Sequence, residues 1–295
     1  MMEKQVLIDS DPATGERNRD VDDGLAFLVL LASPNIKVRG ITINFGNVGA
    51  DIGYDVAKNL LELVRADVPV YKGAKTKTEL GQSNRAVDYL IETVRKSPGE
   101  ISLLALGPLT NIATAMLLDP SFAHNLRELV IMGGSLKFKP FSIFGEFNFH
   151  LDGQAASIAL SAPVLKTLLT MDVCSQAVFR KEHLRMLERH DSPVSRYLVE
   201  AIDPWLELNR KVFFRAQGFF PWDVVAAAYL IDKTLFDENP CSFSVQKTGL
   251  RSGRIDQFRR IDSRQAVDGV VSINVPAKLD TERFMKLFID GLLKF

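Results

Sequence analysis

Short runs of continuously apolar residues, separated by helix-length amphipathic stretches, constrain this chain more than any other feature. Strand-like runs fall at 6–8, 38–43, 68–71, 101–106 and 128–132, with helical stretches at 22–32, 53–66, 85–97 and 109–118. A strand with one face in water alternates apolar and polar residues, whereas a run that is apolar throughout is covered on both faces. The alternation with helices predicts an α/β fold: a mostly parallel central sheet flanked by helices, with a Rossmann-like core. Beyond position 180 the pattern turns more helical, with an apolar helix at 224–231, short strands within 240–275 and a closing helix at 281–293. No repeat, low-complexity segment or linker interrupts the chain, so residues 1–295 are expected to form a single domain.

In parallel sheets, ligands bind beyond the carboxyl ends of the strands, and here each strand-like run feeds a polar, irregular segment. After the first run come Asp9 and Asp11, which share a face if the strand continues through them. Asp20, Asp22 and Asp23 follow before the next helix, against only Arg17 and Arg19. Later runs end in Asn44-Phe45-Gly46-Asn47, Gly107-Pro108-Leu109-Thr110-Asn111 and Met132-Gly133-Gly134, and Glu146-Phe147-Asn148 follows the last of these. Five carboxylates at the mouth of a buried strand repel one another unless a cation or raised pKa values relieve them. Oxygen ligands alone point to a hard cation, Ca²⁺ or Mg²⁺. Acids at a helix start also suit the helix dipole, which is the plain structural reading of Asp22 and Asp23. An EF-hand beginning at Asp9 is excluded, because its glycine position holds Thr14 and its glutamate position holds Asp20. An aspartyl-phosphate phosphatase fits poorly, since the second aspartate pair is foreign to it and no partner lysine motif is evident.

Composition narrows the partners. Lys+Arg and Asp+Glu both number 36, which argues against nucleic acid or an anionic membrane as the main partner. The two cysteines, Cys174 and Cys241, fit no metal or disulfide framework. No apolar run reaches the roughly 18 residues of a membrane span, and the N-terminus lacks signal-peptide anatomy, so a cytoplasmic protein is expected.

The ordered motifs resemble those of the nucleoside hydrolases, the inosine–uridine-preferring nucleoside N-ribohydrolases. The family's strand, Asp-x-Asp-Pro-Gly-x-Asp-Asp and small-apolar helix stand here as Asp9-Ser10-Asp11-Pro12, then Asp22-Asp23-Gly24-Leu25-Ala26. Gly46-Asn47, Gly107 to Asn111, Met132-Gly133-Gly134, Glu146-Phe147-Asn148 and Trp222-Asp223 follow in the family's order. The resemblance implies hydrolysis of a ribonucleoside to ribose and free base, with Ca²⁺ held by Asp11, Asp23, the Leu106 carbonyl and Asp223. It implies Asp11 as the general base that activates the attacking water, with Asp9 in support. Asp22, Asn47, Glu146 and Asn148 would hold the ribose hydroxyls. It also implies a homodimer or homotetramer acting in nucleoside metabolism and purine salvage.

Three departures qualify the resemblance. Many members carry a histidine before the last metal aspartate as leaving-group acid; here that position is Trp222, and none of the four histidines matches it. Tryptophan there resembles the purine-specific branch, in which an indole stacks on the base, yet the branch's second stacking tryptophan has no clear counterpart, since only Trp205 is left. Where the family motif has two residues between Asp-Pro and the aspartate pair, this chain has nine, Ala13 to Val21, an insertion of seven. That loop must either cover the pocket or bulge away while returning Asp22 and Asp23 to position. The asparagine expected six residues before Glu146 falls at Pro140, and Phe138, Phe141, Phe144, Phe147 and Phe149 crowd the same segment as base-pocket wall or core. Two alternatives to the nucleosidase stay open: a relative hydrolysing another ribosyl or sugar compound, and a non-catalytic sugar- or nucleoside-binding protein that keeps the metal site.

Overall fold

A computed structural model describes residues 3–136, 146–212, 218–244, 259–260 and 270–295. In chain order its elements are β1 (Lys4–Ser10), α1 (Asp22–Leu31), β2 (Ile36–Ile43), α2 (Ala50–Leu63), β3 (Val70–Lys72), α3 (Arg85–Lys96) and β4 (Ile101–Ala105). There follow α4 (Thr110–Leu118), α5 (Phe122–Asn125), β5 (Glu128–Met132), α6 (Phe147–Leu151), α7 (Gly153–Ser161), β6 (Lys166–Leu169) and α8 (Met171–Cys174). The rest are β7 (Phe179–Arg180), α9 (Lys181–His190), α10 (Pro193–Val212), β8 (Gly218–Phe219) and α11 (Trp222–Ile231), then β9 (Pro240–Ser244), β10 (Arg259–Arg260), β11 (Val270–Asn274) and α12 (Thr281–Leu292).

One sheet runs in the order β10-β9-β11-β6-β5-β4-β1-β2-β3. From β11 to β3 every pairing is parallel, and at one edge β9 runs antiparallel to both of its neighbours, β11 and β10. Side chains alternate between two apolar layers. Val6, Ile8, Leu104 and Val130 join α1, α2 and α11 on one face, while Leu7, Leu103, Leu129 and Ile131 meet α3, α4 and α7 on the other. The central strands are apolar at nearly every position because both faces are covered. Helix α1 is buried along almost its whole length, and α11 and α12 pack against it. Among the described residues, no helix is long and apolar enough to cross a membrane.

The chain leaves β1 towards β2 and β3, then crosses back to place β4 on the other side of β1. This change of direction opens a crevice past the carboxyl ends of β1 and β4, where such sheets bind ligands. The short pair β7–β8 sets Phe179 opposite Phe219, with ring centroids 5.0 Å apart, and delivers the chain to the start of α11. Gly218 is needed there, since a Cβ would lie 1.9 Å from the Phe179 carbonyl oxygen. The positions of Pro140, Phe138, Phe141 and Phe144 lie outside the described residues.

Candidate active site

The crevice is floored by the residues that end β1. The strand stops at Ser10, so the two-residue periodicity that would have set Asp9 and Asp11 on one face does not reach Asp11. Asp9 serves the scaffold: its Oδ1 accepts from Thr42 Oγ1 at 2.6 Å and Asn111 Nδ2 at 2.8 Å, which ties β1 to β2 and to the turn after β4. Its backbone carbonyl accepts from Leu106 N at 2.8 Å. Burial nevertheless pushes the Asp9 carboxyl up to about 7, against those hydrogen bonds.

Asp11 faces the loops after β2 and β4. Its Oδ2 accepts from the Asn47 backbone N–H at 2.6 Å, while its buried Oδ1 has no hydrogen-bond partner. Glycines make room for it: a Cβ on Gly46 would lie 1.9 Å from Oδ2, and one on Gly107 would lie 2.6 Å from Oδ1. Those sequence-visible glycines are therefore explained by close approach to one carboxylate.

Asp22 and Asp23 open α1, and Asp223 opens α11, so two neighbouring helix N-termini aim carboxylates at the same point. Oxygens of Asp22, Asp23 and Asp223 lie within 4.8 Å of one another. Asp23 accepts from Ser10 Oγ and, at 3.4 Å, from Asn47 Nδ2, while Asp22 Oδ2 accepts from the Asp223 backbone N–H at 3.0 Å. Asp11 lies beside this trio, close enough for Asp23 and Asp22 to raise its pKa. All of these acids are raised by burial first and by like charge second. Asp11, Asp22 and Asp223 are pushed well above the ordinary range, and Asp23 to about 7. A carboxyl cluster that is buried, mutually repelling and partly unpartnered has the oxygen chemistry of a hard-cation site.

The remaining predicted residues converge on the same place. Glu146 caps α6, with Oε1 accepting from Asn148 N at 2.8 Å and Oε2 from Gly134 N and Phe149 N, each at 2.9 Å. Burial still holds the Glu146 carboxyl above its usual range. Asn148 Nδ2 donates to the Leu106 carbonyl at 2.7 Å, so the oxygen expected to serve a metal also accepts a hydrogen bond. Trp222 is partly exposed at the start of α11, its ring tilted against Phe220 at 4.8 Å. A cavity of about 130 Å³ lies above this floor, bounded by Asp22, Asn47, Leu106, Glu146, Asn148, Trp222 and Asp223. Trp205 lies on α10 and is not among the cavity residues.

The insertion takes a definite course. Gly15 to Arg19 are exposed, while Thr14 is buried. Thr14 Oγ1 donates to the Val21 carbonyl at 2.8 Å and accepts from Gly24 N at 3.2 Å, closing the base of the loop. Tyr197 of α10 donates from its hydroxyl to the Thr14 carbonyl at 3.1 Å. The loop thus projects outward, yet its last turn brings Asp20 to the cavity wall. Met132 and Met171 are not assigned to the pocket from sequence, Asp20 is one of the five carboxylates without a role of its own, and Phe147, expected as base-pocket wall or core, lines the cavity. Phe147 sits between two expected sugar contacts with 47% of its surface exposed. The run of phenylalanines was the sequence signal for Phe147, and the acidic set that ends in Asp22 and Asp23 was the signal for Asp20.

Known proteins resemble this chain in sequence and in fold. A family model described as inosine-uridine preferring nucleoside hydrolase matches residues 6–286. A probable uridine nucleosidase 2 of Arabidopsis thaliana is 27% identical, over 99% of this chain and 98% of its own length. A pyrimidine-specific ribonucleoside hydrolase of Escherichia coli is also 27% identical, over 79% of this chain and 80% of its own. The solved structure of a plant nucleoside hydrolase superposes with a TM-score of 0.86 at 28% identity, covering 98% of this chain and 99% of that one.

Proposed function

The chain belongs to the inosine-uridine preferring nucleoside hydrolase family, and from that premise we propose that it is a Ca²⁺-dependent enzyme releasing ribose and free base from a ribonucleoside. It is an N-glycosyl hydrolase, and a small-molecule nucleoside suits its cavity better than any polymer. One observation carries the site assignment: Asp11 keeps a buried, unpartnered oxygen beside the Asp22, Asp23 and Asp223 cluster under the cavity.

In this reading Asp11, Asp23, Asp223 and the Leu106 carbonyl hold the ion, with Asp22 within reach of the same point. When bound, a hard dication acidifies the attacking water and offsets the carboxylate repulsion. Asp11 takes the proton from that water. Without the ion, burial and the neighbouring charges of Asp23 and Asp22 raise its carboxyl above the ordinary range, and a bound dication would lower it, leaving Asp11 ionised and able to accept that proton. Asp22, Asn47, Glu146 and Asn148 bind the ribose hydroxyls. Glu146 is preorganised for this by three backbone N–H groups, which fix its orientation before substrate arrives. The sugar gains positive charge as the C1′–N bond breaks, and the surrounding carboxylates stabilise it electrostatically. Trp222 stacks on the base, which is a purine in this proposal. A single domain over 1–295 and a cytoplasmic location, which rest on the sequence pattern, complete the proposal together with a homodimer or homotetramer and a part in purine salvage, which rest on the family resemblance.

The test is Asp11→Asn in the calcium-loaded protein, with inosine and uridine as substrates. We expect kcat to fall by about 10²–10⁴, the usual contribution of a positioned base, while nucleoside binding measured by calorimetry persists. A parent protein that binds calcium and nucleoside without turnover would be a binding protein instead.

A further inference from the structure

The insertion lengthens the connection from β1 to α1, and a longer loop costs more to close. It nevertheless returns Asp22 and Asp23 to the cavity floor, and it carries its own fastening for doing so. Thr14, inside the insertion, is 1% exposed. Its hydroxyl donates to the Val21 carbonyl at 2.8 Å and accepts from Gly24 N at 3.2 Å. Those two backbone groups bracket Asp22 and Asp23, so one oxygen grips both ends of the segment that bears the two carboxylates. Val21, at the start of α1, has no polar side chain to cap the helix, and the first-turn N–H of Gly24 is satisfied from ten residues upstream instead. Gly24 itself is an independent sign of the arrangement. Glycine within a helix is less favourable than alanine, yet a Cβ here would lie 2.3 Å from Thr14 Oγ1 and 2.9 Å from Thr14 Cβ. That Cβ would also meet Leu60 Cδ1 at 2.7 Å, a contact that the end of a leucine side chain can relieve.

We infer that Thr14 is a positioning residue of the active site, whose hydroxyl fixes the backbone of Asp22 and Asp23 and thereby places a metal ligand and a ribose ligand. The inference rests on the nucleosidase reading of those two carboxylates and deepens it. Other elements aim the carboxylates once the backbone is set: the Asp223 N–H, at 3.0 Å, for Asp22, and Ser10 with Asn47 for Asp23. Thr14 supplies what those bonds do not, the two Cα positions from which the side chains reach their partners. The exposed turn from Gly15 to Arg19 lies outside this clamp, so the extra length of chain is taken up without displacing the site.

The test measures binding of calcium alone by calorimetry on the parent, Thr14→Val, Thr14→Ser and Gly24→Ala proteins, then inosine and uridine kinetics at saturating calcium. Thr14→Val keeps the shape and removes the hydroxyl. Its calcium Kd should rise about tenfold, the lower end for a residue acting behind the ligands. At saturating calcium its KM for the better nucleoside should rise about fivefold through Asp22, with kcat little changed, because Asp11 stands outside the clamp. Thr14→Ser, which keeps the hydroxyl, should restore both quantities to near the parent values. Gly24→Ala should weaken calcium binding about fivefold although alanine favours the helix, and it decides the matter if Thr14→Val does not fold. Parent-like calcium affinity in Thr14→Val or in Gly24→Ala overturns the inference. So does a Thr14→Ser protein as impaired as Thr14→Val, which would make the methyl contact the one that matters, or a fall in kcat alone. A parent that binds no calcium overturns the metal assignment as well; a parent that binds calcium and hydrolyses nucleosides, with variants that do the same equally well, overturns only the inference.

Discussion

At the amino ends of its strands the central sheet buries Glu128 with a basic partner; at the carboxyl ends it buries Asp11, Asp22, Asp23 and Asp223 with none among the described residues. Glu128 opens β5 with its side chain 4% exposed, 2.6 Å from Lys233 Nζ and 2.8 Å from Ser102 Oγ, with Lys4 nearby. Burial alone would raise its carboxyl, but Lys233, Ser102 and Lys4 outweigh it and hold the group below its usual range. At the other end burial acts unopposed by any cation, and each like charge adds to it. The same physics therefore gives opposite signs in one sheet. A charge whose partner is covalently part of the chain contributes to the fold, whereas charges left without one amount to an affinity for something the chain does not contain.

The sharpest way to break this contrast is to remove one carboxylate from the unpaired end. Asp223→Asn should weaken calcium binding by about 100-fold or more, because one anionic ligand and its helix-terminal placement are lost. It should also raise the melting temperature of the chelator-treated protein at pH 8, since one like charge leaves a buried cluster. Calorimetric titration and thermal melting read the two effects. Loss of stability with and without calcium would mean that Asp223 supports the fold in the way Glu128 does.

Acidity should separate the two ends next. Asp9 and Asp23 titrate at about 7 and Asp20 at about 6 in the folded chain, against an ordinary 3.8. Between about 4 and 7 the folded protein therefore holds protons that the unfolded chain has released. Stability of the metal-free protein is present below that window and is lost as pH rises through it. Its melting temperature should be lower at pH 8 than at pH 5, and calcium should restore more at pH 8, because the ion needs the carboxylates ionised. A metal-free melting temperature that rises from pH 5 to 8 would contradict an excess of buried acid.

The sequence announced the unpaired end better than the paired one. Strands at 6–8 and 128–132 and the helix starting at Asp22 are legible because continuous apolar runs and an acidic helix start are local signals. β6 went unread although it lies between β5 and β11, since it is four residues long and begins with a lysine. The buried Lys166 is accommodated by donating to the Ala162 and Val164 carbonyls, and burial lowers its pKa to about 8. The pairing of Glu128 with Lys233 spans 105 positions, and nothing local to either residue discloses it. The course of the insertion was hidden for the same reason. Its length was plain, but its direction depends on Thr14 meeting Tyr197 across 183 positions.

At the paired end, Glu128→Gln should cost about 1–3 kcal/mol in urea unfolding, since Lys233 loses its charged acceptor and the half-buried Lys4 its counter-charge. Lys233 is 44% exposed and can turn to water, which keeps the loss towards the lower part of that range. Calcium affinity should not change. A shift in affinity would mean that the two ends are coupled through β5.

The smallest expected effect tests whether the outer turn of the inserted loop belongs to either end. Tyr197→Phe deletes one half-buried hydrogen bond to the Thr14 carbonyl, with about 0.5–1.5 kcal/mol of stability lost. Thr14 would keep its own bonds to Val21 and Gly24, so the start of α1 should stay in place. Amide exchange should therefore quicken in residues 15–19 while that of α1 and the affinity for calcium are maintained. A tenfold loss of calcium affinity in this variant would show instead that α10, through Tyr197, helps to hold Asp22 and Asp23 in position, and the outer turn of the insertion would then support the metal floor together with Thr14.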